Sequence, residues 1–282
     1  MKLSEIEALR QAVAEAAAWV AEVRQELGED APHRAYGVLR ATLHALRDVL
    51  AYETAMRLFS ALPPAVRGAA LEGWRPHPGP VSGVITRERF LARIAEELLE
   101  VPELPPERAA RAVLGILARR VPADRLPNLR EALPEPLRDL VSAPVSAEPH
   151  EEARRAALQE TEGTIRAVLE EARRRGVPDE ELPALTAHRR PGRRDSPPPP
   201  PLEPADVFDR TLQKTLLWVK QTTQELGWKD PGAGFRALVA VLQSLRERLL
   251  REEMFQLAAQ LPILLRGFAF EGWEPGEPYL RE

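Results

Sequence analysis

Apolar residues recur along much of the chain at steps of three and four, the spacing that places side chains on one face of an α-helix. Two such stripes are Tyr36, Leu39, Leu43, Leu46 and Leu50, and Phe235, Leu238, Leu242, Leu245 and Leu249. Asp230 followed by Pro231 is a helix start signal, because aspartate caps the first amides and proline leaves no amide unpaired there. An earlier helix ends near Gly28. No segment alternates with a period of two, so the pattern predicts an all-α fold.

The helical pattern is repeated along the chain. A shift of 199 positions aligns residues 19–74 with residues 218–273 without a gap, and 23 of the 56 aligned residues are identical. A shift of 71 aligns a weaker copy, in which Phe90 takes the place of Trp19 and a Glu-Gly-Trp ending is missing. The sequence therefore predicts three copies of one four-helix unit, here called copy one, copy two and copy three in chain order.

The segment before copy three differs in composition from the copies. Residues 149–175 are typical of a single helix, with acidic residues early and arginines late, as the helix dipole favours. From 177 to 205 the chain is rich in proline and charge and includes five consecutive prolines. Such a composition is typical of an extended linker. We therefore divide the chain into a paired two-unit domain (1–143), a connecting helix (144–176), a Pro/Arg-rich linker (177–205) and a single unit (206–282).

The ends of copies one and three resemble a known family. Leu62-Pro63, Arg67-Gly68 and Glu72-Gly73-Trp74, after the helix at 41–47, look like a bacterial domain-of-unknown-function family of helical half-repeats. In that family the first half ends in a Glu-Gly-Trp box and the second half opens with Phe-Leu-x-x-(Val/Ile)-Ala, matched here by residues 90–95. The resemblance implies a whole domain over 1–143 and a first half alone over 206–282. It implies no activity.

The box contains the most conspicuous polar residues of the repeat. Its members, which we call the Arg-Glu-Trp box, are Arg67, Glu72 and Trp74 in copy one and Arg266, Glu271 and Trp273 in copy three. One interpretation is a site for an anion or a partner, with arginine as a hydrogen-bonding fork and tryptophan as a platform. The other is structural: arginine pairs with glutamate across the last helical turn and tryptophan packs over its own unit. The sequence favours the structural interpretation.

Copy three carries more aromatic side chains than copy one, yet no second half follows it within the sequence. The residues we expect at an interface are Trp218, Phe235, Phe255, Phe268 and Phe270. An apolar patch of this size is uncommon on a monomer in water. We expect it to pair with copy three of a second chain through 206–282, giving a homodimer. Docking on 149–175 or on copies one and two, and capture of a different protein, are the alternatives.

Composition narrows the classes of function. The chain has no cysteine, and its five histidines show no metal-ligand spacing, so we expect no cofactor or metal site. A net charge of −4, from 39 basic and 43 acidic residues, gives no general attraction for nucleic acid. There is no signal-peptide pattern and no membrane-spanning apolar run, and a chain without thiols suits the cytoplasm. The arginine cluster at 189–194 lies in the predicted linker, where a solvated role is the expected one.

These observations favour a non-catalytic helical interaction or scaffold protein that binds a protein partner or itself. The first alternative is an enzyme or small-ligand binder that uses the Arg-Glu-Trp box. The second is a nucleic-acid accessory protein that uses the arginine cluster.

Overall fold

The structure, a computed structural model, describes residues 6–28, 32–75, 85–98, 104–123, 125–126, 128–141 and 208–273. Every regular element within these ranges is a helix, which confirms the all-α prediction. The predicted connecting helix and the Pro/Arg-rich linker lie outside the described residues. Within the described part of the chain, no helix combines the length and apolar character needed to cross a bilayer.

Copy one consists of four helices: α1 (Glu7–Leu27), α2 (Pro32–Val49), α3 (Tyr52–Ser60) and α4 (Pro64–Ala70). Gly28 ends α1 in the left-handed conformation, with φ 59°, as a C-terminal glycine often does. Gly73 of the Glu-Gly-Trp box also has a positive φ of 65°, just beyond the end of α4. The glycines that the sequence places at helix ends therefore do lie just beyond the ends of α1 and α4.

Copy two consists of α5 (Arg87–Glu97), α6 (Pro106–Arg120), the single turn α7 (Leu129–Ala132) and a 3₁₀-helix (Glu135–Val141). Copy three consists of α8 (Asp209–Glu225), α9 (Pro231–Arg248), α10 (Arg251–Gln260) and α11 (Ile263–Ala269). Asp230 caps α9 as predicted, since its carboxylate accepts hydrogen bonds from the amides of Gly232 and Ala233 at 2.8 and 3.1 Å.

Copies one and two pack through their first two helices. Helix α1 contacts α6, and α2 contacts both α5 and α6. The first helix of each copy therefore meets the second helix of the other copy, and the two second helices meet each other. Between residues 41 and 47, every residue of α2 is buried. This central helix forms the core between the two copies.

Copies one and three pack through their last helices. Helix α4 lies against α11, and residues 1–143 and 201–282 form one compact unit. Docking on copy one, which was one of the alternatives left open by the sequence, is therefore how copy three sits within this chain. Copy one is in the middle and uses two different surfaces, one for each neighbouring copy.

Candidate functional site

The arginines of the Arg-Glu-Trp box bind main-chain carbonyls. Arg67 donates through Nε to Phe59 O (3.0 Å) and through Nη2 to Ser60 O (2.9 Å) and Leu62 O (2.7 Å). Its Nη1 donates to Gly267 O of copy three at 2.9 Å. Four of its five N–H groups are thus engaged, so the guanidinium cannot also grip an anion with two parallel hydrogen bonds.

Arg266 mirrors Arg67 from the other side of the junction. Its Nη1 donates to Gly68 O of copy one at 3.0 Å. Its other bonds run to Ala258 O (2.8 Å) and Leu261 O (3.1 Å), the counterparts of Phe59 O and Leu62 O at a shift of 199. Each arginine therefore braces its own last helix and bonds the glycine of the other copy.

The glycines that follow these arginines mark the closest approach of α4 and α11. A Cβ atom added to Gly68 would lie 1.9 Å from the carbonyl oxygen of Ile263. A Cβ atom added to Gly267 would lie 1.8 Å from the carbonyl oxygen of Pro64. Any side chain at either position would clash with main chain. Copy two has Asp139 at the equivalent position and so cannot form this crossing.

The charges of the two boxes interact across the junction. Burial lowers the pKa of Arg67 to about 10, and Glu271 of copy three opposes that change. Burial likewise lowers the pKa of Arg266, and Glu72 of copy one opposes it. Glu72 itself accepts a hydrogen bond from Arg40 at 3.2 Å. The predicted pairing of arginine with the glutamate of its own box is therefore wrong, because each arginine faces the glutamate of the other copy.

The tryptophans of the box enter a shared aromatic cluster. Trp74 is 8% exposed and packs on Tyr52 and Phe59 of its own copy. It also meets Phe255 of copy three edge-on, at a centroid distance of 5.3 Å. Trp273 is partly buried and contacts Tyr52 of copy one at 5.8 Å. Both indoles pack as the structural interpretation expects, but across two copies rather than over one.

Of the five aromatic residues predicted at an outward interface, four are buried inside the chain. Phe235 and Phe268 pack edge-on within copy three, and Phe255 and Phe270 belong to the cluster around Trp74. These four are not available to a second molecule, so the prediction needs correcting at these positions. Trp218 alone of the set remains exposed.

Sequence reasoning missed the residues that cap the ends of α4 and α11. Arg47 Nη1 donates to Ala70 O (2.8 Å) and Glu72 O (2.6 Å), and Arg246 makes the equivalent bonds in copy three. These bonds satisfy carbonyls that have no partner at a helix C-terminus. Their signal in the sequence is the arginine shared by both copies on the apolar side of the second helix.

A second feature that the sequence did not reveal is an exposed apolar surface. The large hydrophobic residues that are exposed in the described part of the chain all lie in copy three: Leu217, Trp218, Leu226, Trp228, Val241, Leu245 and Leu250. We call Trp218, Leu226, Val241 and Leu245 the open face, because their counterparts in copy one lie in the α1–α2 hairpin that packs on copy two.

Comparison with copy one shows what the open face lacks. Trp218 is 38% exposed where Trp19 is 3% exposed, Val241 is 56% exposed where Thr42 is fully buried, and Leu245 is 37% exposed where Leu46 is fully buried. The fold of the hairpin is the same in both copies. The difference is that α5 and α6 pack on copy one, while no described helix packs on the open face.

The described residues contain no group of His, Asp and Glu side chains arranged to hold a metal ion. Two depressions lie at symmetric positions beside the α4–α11 junction. One, of about 300 Å³, is lined by Trp19, Arg67 and Glu271; the other, of about 460 Å³, is lined by Trp218, Arg266 and Glu72. Each box thus borders a shallow depression that holds a glutamate of the other copy.

A family described as "Uncharacterized conserved protein (DUF2267)" matches the chain at residues 16–140 and 216–282. The first stretch spans copies one and two, and the second spans copy three. Together they cover more than half of the chain. No curated protein matches the sequence at a significant level.

Proposed function

The chain belongs to the DUF2267 family of uncharacterized conserved proteins, and we propose that it is a non-catalytic interaction protein that binds a protein through its open face. The observation that carries the proposal is the concentration of exposed large apolar side chains on α8 and α9. Exposed apolar side chains that lie close together are a mark of interaction surfaces.

The chemistry of the patch favours a protein over a small molecule. Fully burying a Leu or Val side chain gains about 1.5–3 kcal/mol. The residues of the open face are already about half buried, so covering each gains roughly half of that before the cost of association. The surface is a two-helix face rather than a cavity. In copy one the equivalent face is covered by two helices, α5 and α6. A helical partner of similar size has the right shape.

A small-ligand binder is the second candidate. The depression of about 460 Å³ between α8 and α11 is lined by Arg210, Lys214 and Trp218, and this set suits a small anion with an aromatic part. Arg266 lines the same depression, but most of its donors are already used by carbonyls. This candidate predicts ligand-dependent stabilisation that Lys214→Ala weakens.

Two further proposals concern the cellular location and a role in nucleic-acid binding. We assign the protein to the cytoplasm, a compartment that suits a chain without cysteine. The alternative nucleic-acid role would use the arginine cluster at 189–194, which lies outside the described residues. Binding to nucleic acid that weakens steeply as the salt concentration rises would support it.

A photo-crosslinking amino acid placed at position 241 of the full chain in its native cells tests the interaction function. The matched control places it at Arg57, an exposed position on α3 in copy one. We expect a protein adduct from position 241 and none from position 57. An equal adduct yield at both positions, or no adduct at position 241, overturns the proposal.

A further inference from the structure

We propose that the open face is covered by the open face of a second copy of this chain, in a two-fold arrangement that repeats the packing of copy one on copy two. This inference rests on the proposed interaction function and names its partner. Three observations support it: the pairing pattern within the chain, the side chains at the centre of the face and the arginine that lies over Trp19 at the rim of the first junction.

Both junctions between copies in this chain are self-complementary. At the first junction, α1 meets α6, α2 meets α5, and the two second helices α2 and α6 meet each other. At the second junction, α4 meets its counterpart α11, with reciprocal bonds from Arg67 to Gly267 O and from Arg266 to Gly68 O. In each case the same elements contribute from both sides. A surface that pairs in this way with a copy of its own unit is suited to a two-fold homodimer.

The centre of the open face has the side chains that such a crossing needs. Helix α9 carries Ala240 and Ser244 where α2 has Ala41 and Ala45, both buried against neighbouring helices. Small residues let two helix backbones approach closely, and Val241 and Leu245 stand beside them as apolar contacts. In the proposed dimer α9 crosses α9 of the partner subunit, as α2 crosses α6.

The rim of the first junction predicts a specific contact in the dimer. Arg120 of copy two lies over the ring of Trp19 at 5.3 Å, and its Nε donates to Glu22 at 2.5 Å. Its neighbour Arg119 hydrogen-bonds Glu26 of copy one. At the repeat shifts, Arg120 corresponds to Arg248 and Trp19 to Trp218, while Gln221 takes the place of Glu22 and the Arg119–Glu26 pair becomes Glu247 and Glu225.

We therefore expect Arg248 of the partner subunit to lie over Trp218, and its neighbour Glu247 to face Glu225. Glu225 and Glu247 cannot meet within one chain. Helices α8 and α9 are joined by a short loop and run antiparallel, so Glu225 lies next to the loop while Glu247 lies near the far end of an 18-residue helix. A helix of that length spans about 27 Å. Across a two-fold axis the same two residues meet twice.

The resulting assembly is a linear array of copies in the order two, one, three, three, one, two. Within each chain, copy one is covered on both of its pairing surfaces. The central junction covers the open face of both chains at once.

Analytical ultracentrifugation of the full chain at tens of micromolar tests the proposal. We expect a dimer, and we expect the double variant Val241→Glu/Leu245→Glu to weaken it by roughly tenfold or more, since two central apolar residues are replaced by charges. Both positions are exposed within the chain, so the variant keeps its helix content, while its melting temperature no longer rises with protein concentration as that of a dimer does. The control, Gln256→Glu/Gln260→Glu on the exposed side of α10, stays dimeric.

Charge reversal tests the register. Glu247→Arg tightens the dimer, because it places an arginine opposite Glu225 as Arg119 lies opposite Glu26, and the further change Glu225→Arg cancels the gain. A monomeric wild-type chain, a dimer indifferent to Val241→Glu/Leu245→Glu, or a dimer that Glu247→Arg does not tighten would each overturn the proposal. A monomer that still crosslinks from position 241 to a different protein keeps the interaction function while refuting self-pairing.

Discussion

His44 of copy one and Glu97 of copy two are joined by a buried contact, with His44 Nδ1 lying 2.9 Å from Glu97 Oε2 and 3.0 Å from Oε1. The other ring nitrogen, Nε2, lies 2.9 Å from the carbonyl oxygen of Ala69. One imidazole thus connects α2 to α5 and to the end of α4. Copy three, which no described second half covers, has Gln243 at this position.

The His44 contact predicts a pH dependence of stability. Burial, with a further contribution from Arg47, lowers the pKa of His44 below its ordinary value of 6.5, although Glu97 and the Ala69 carbonyl oppose this. Arg93 and Arg40 also face Glu97. A lowered pKa in the folded state means that the unfolded chain takes up the proton first. The free energy of unfolding therefore falls as the pH drops below about 6.5 and levels off below the folded-state pKa.

The His44→Gln variant removes this contribution, since glutamine does not titrate and already serves at position 243. Urea denaturation at pH 7.5 and at pH 5.5 measures the effect. We expect the wild type to lose more stability than the variant over this interval. Equal losses in the two proteins would mean that His44 does not control the pH dependence.

The close crossing of α4 and α11 predicts that Gly68 does not tolerate a side chain. Gly68→Ala places a Cβ atom 1.9 Å from the Ile263 carbonyl, so we expect the free energy of unfolding to fall by about 3 kcal/mol. The control is Gly37→Ala in α2, where no atom lies within 4 Å of the new Cβ. There alanine stabilises the helix by up to about 1 kcal/mol. Similar effects at both positions would contradict the crossing.

The hydrogen bonds of Arg67 predict a structural role. Arg67→Met keeps an unbranched apolar stem but removes four hydrogen bonds to main-chain carbonyls, which we expect to cost about 3 kcal/mol. Arg57→Met on the exposed side of α3 is the control and changes stability by less than about 0.5 kcal/mol. If Arg67→Met left the denaturation midpoint unchanged but abolished binding of an anion, the ligand interpretation would replace the structural one.

The aromatic cluster predicts a difference between two tryptophans. Trp74→Ala removes a buried ring that contacts Tyr52, Phe59 and Phe255, so we expect a loss of about 3 kcal/mol or more. Trp228 is 47% exposed, and Trp228→Ala is expected to leave the melting temperature nearly unchanged. Thermal denaturation monitored by circular dichroism compares the two variants. Equal melting temperatures for both would show that Trp74 does not hold the copies together.

The helices and the repeat were predictable because their signals are local. Steps of three and four, the Asp230 cap and the Gly28 stop all act within one turn of the chain. The copies align without a gap, and α11 lies 199 residues after α4 at both of its ends. The family box was recognisable for the same reason, since its residues lie within one short stretch.

The role of the box was not predictable from one copy alone. Arg67 bonds Gly267, and Glu271 faces Arg67, so the partners of each box lie about 200 residues away in the sequence. A glycine inside a helix, as at 68 and 267, does indicate a close backbone approach, but it does not say to what. The open face was likewise hidden, because Trp218 and Trp19 look alike in sequence and differ only in what packs on them.

The central position of copy one has a consequence for how the molecule opens. Within a single chain, a transient unfolding of copy two breaks only the junction of α1 and α2 with α5 and α6, and a transient unfolding of copy three breaks only the α4–α11 junction. Unfolding of copy one must break both. Amide hydrogens in α2 and α4 are therefore expected to exchange with solvent most slowly, through global unfolding. Those of α5 and α9 are expected to exchange through local openings of lower free energy. Copy one, in the middle of the three copies, is therefore expected to be the most stable part of the chain.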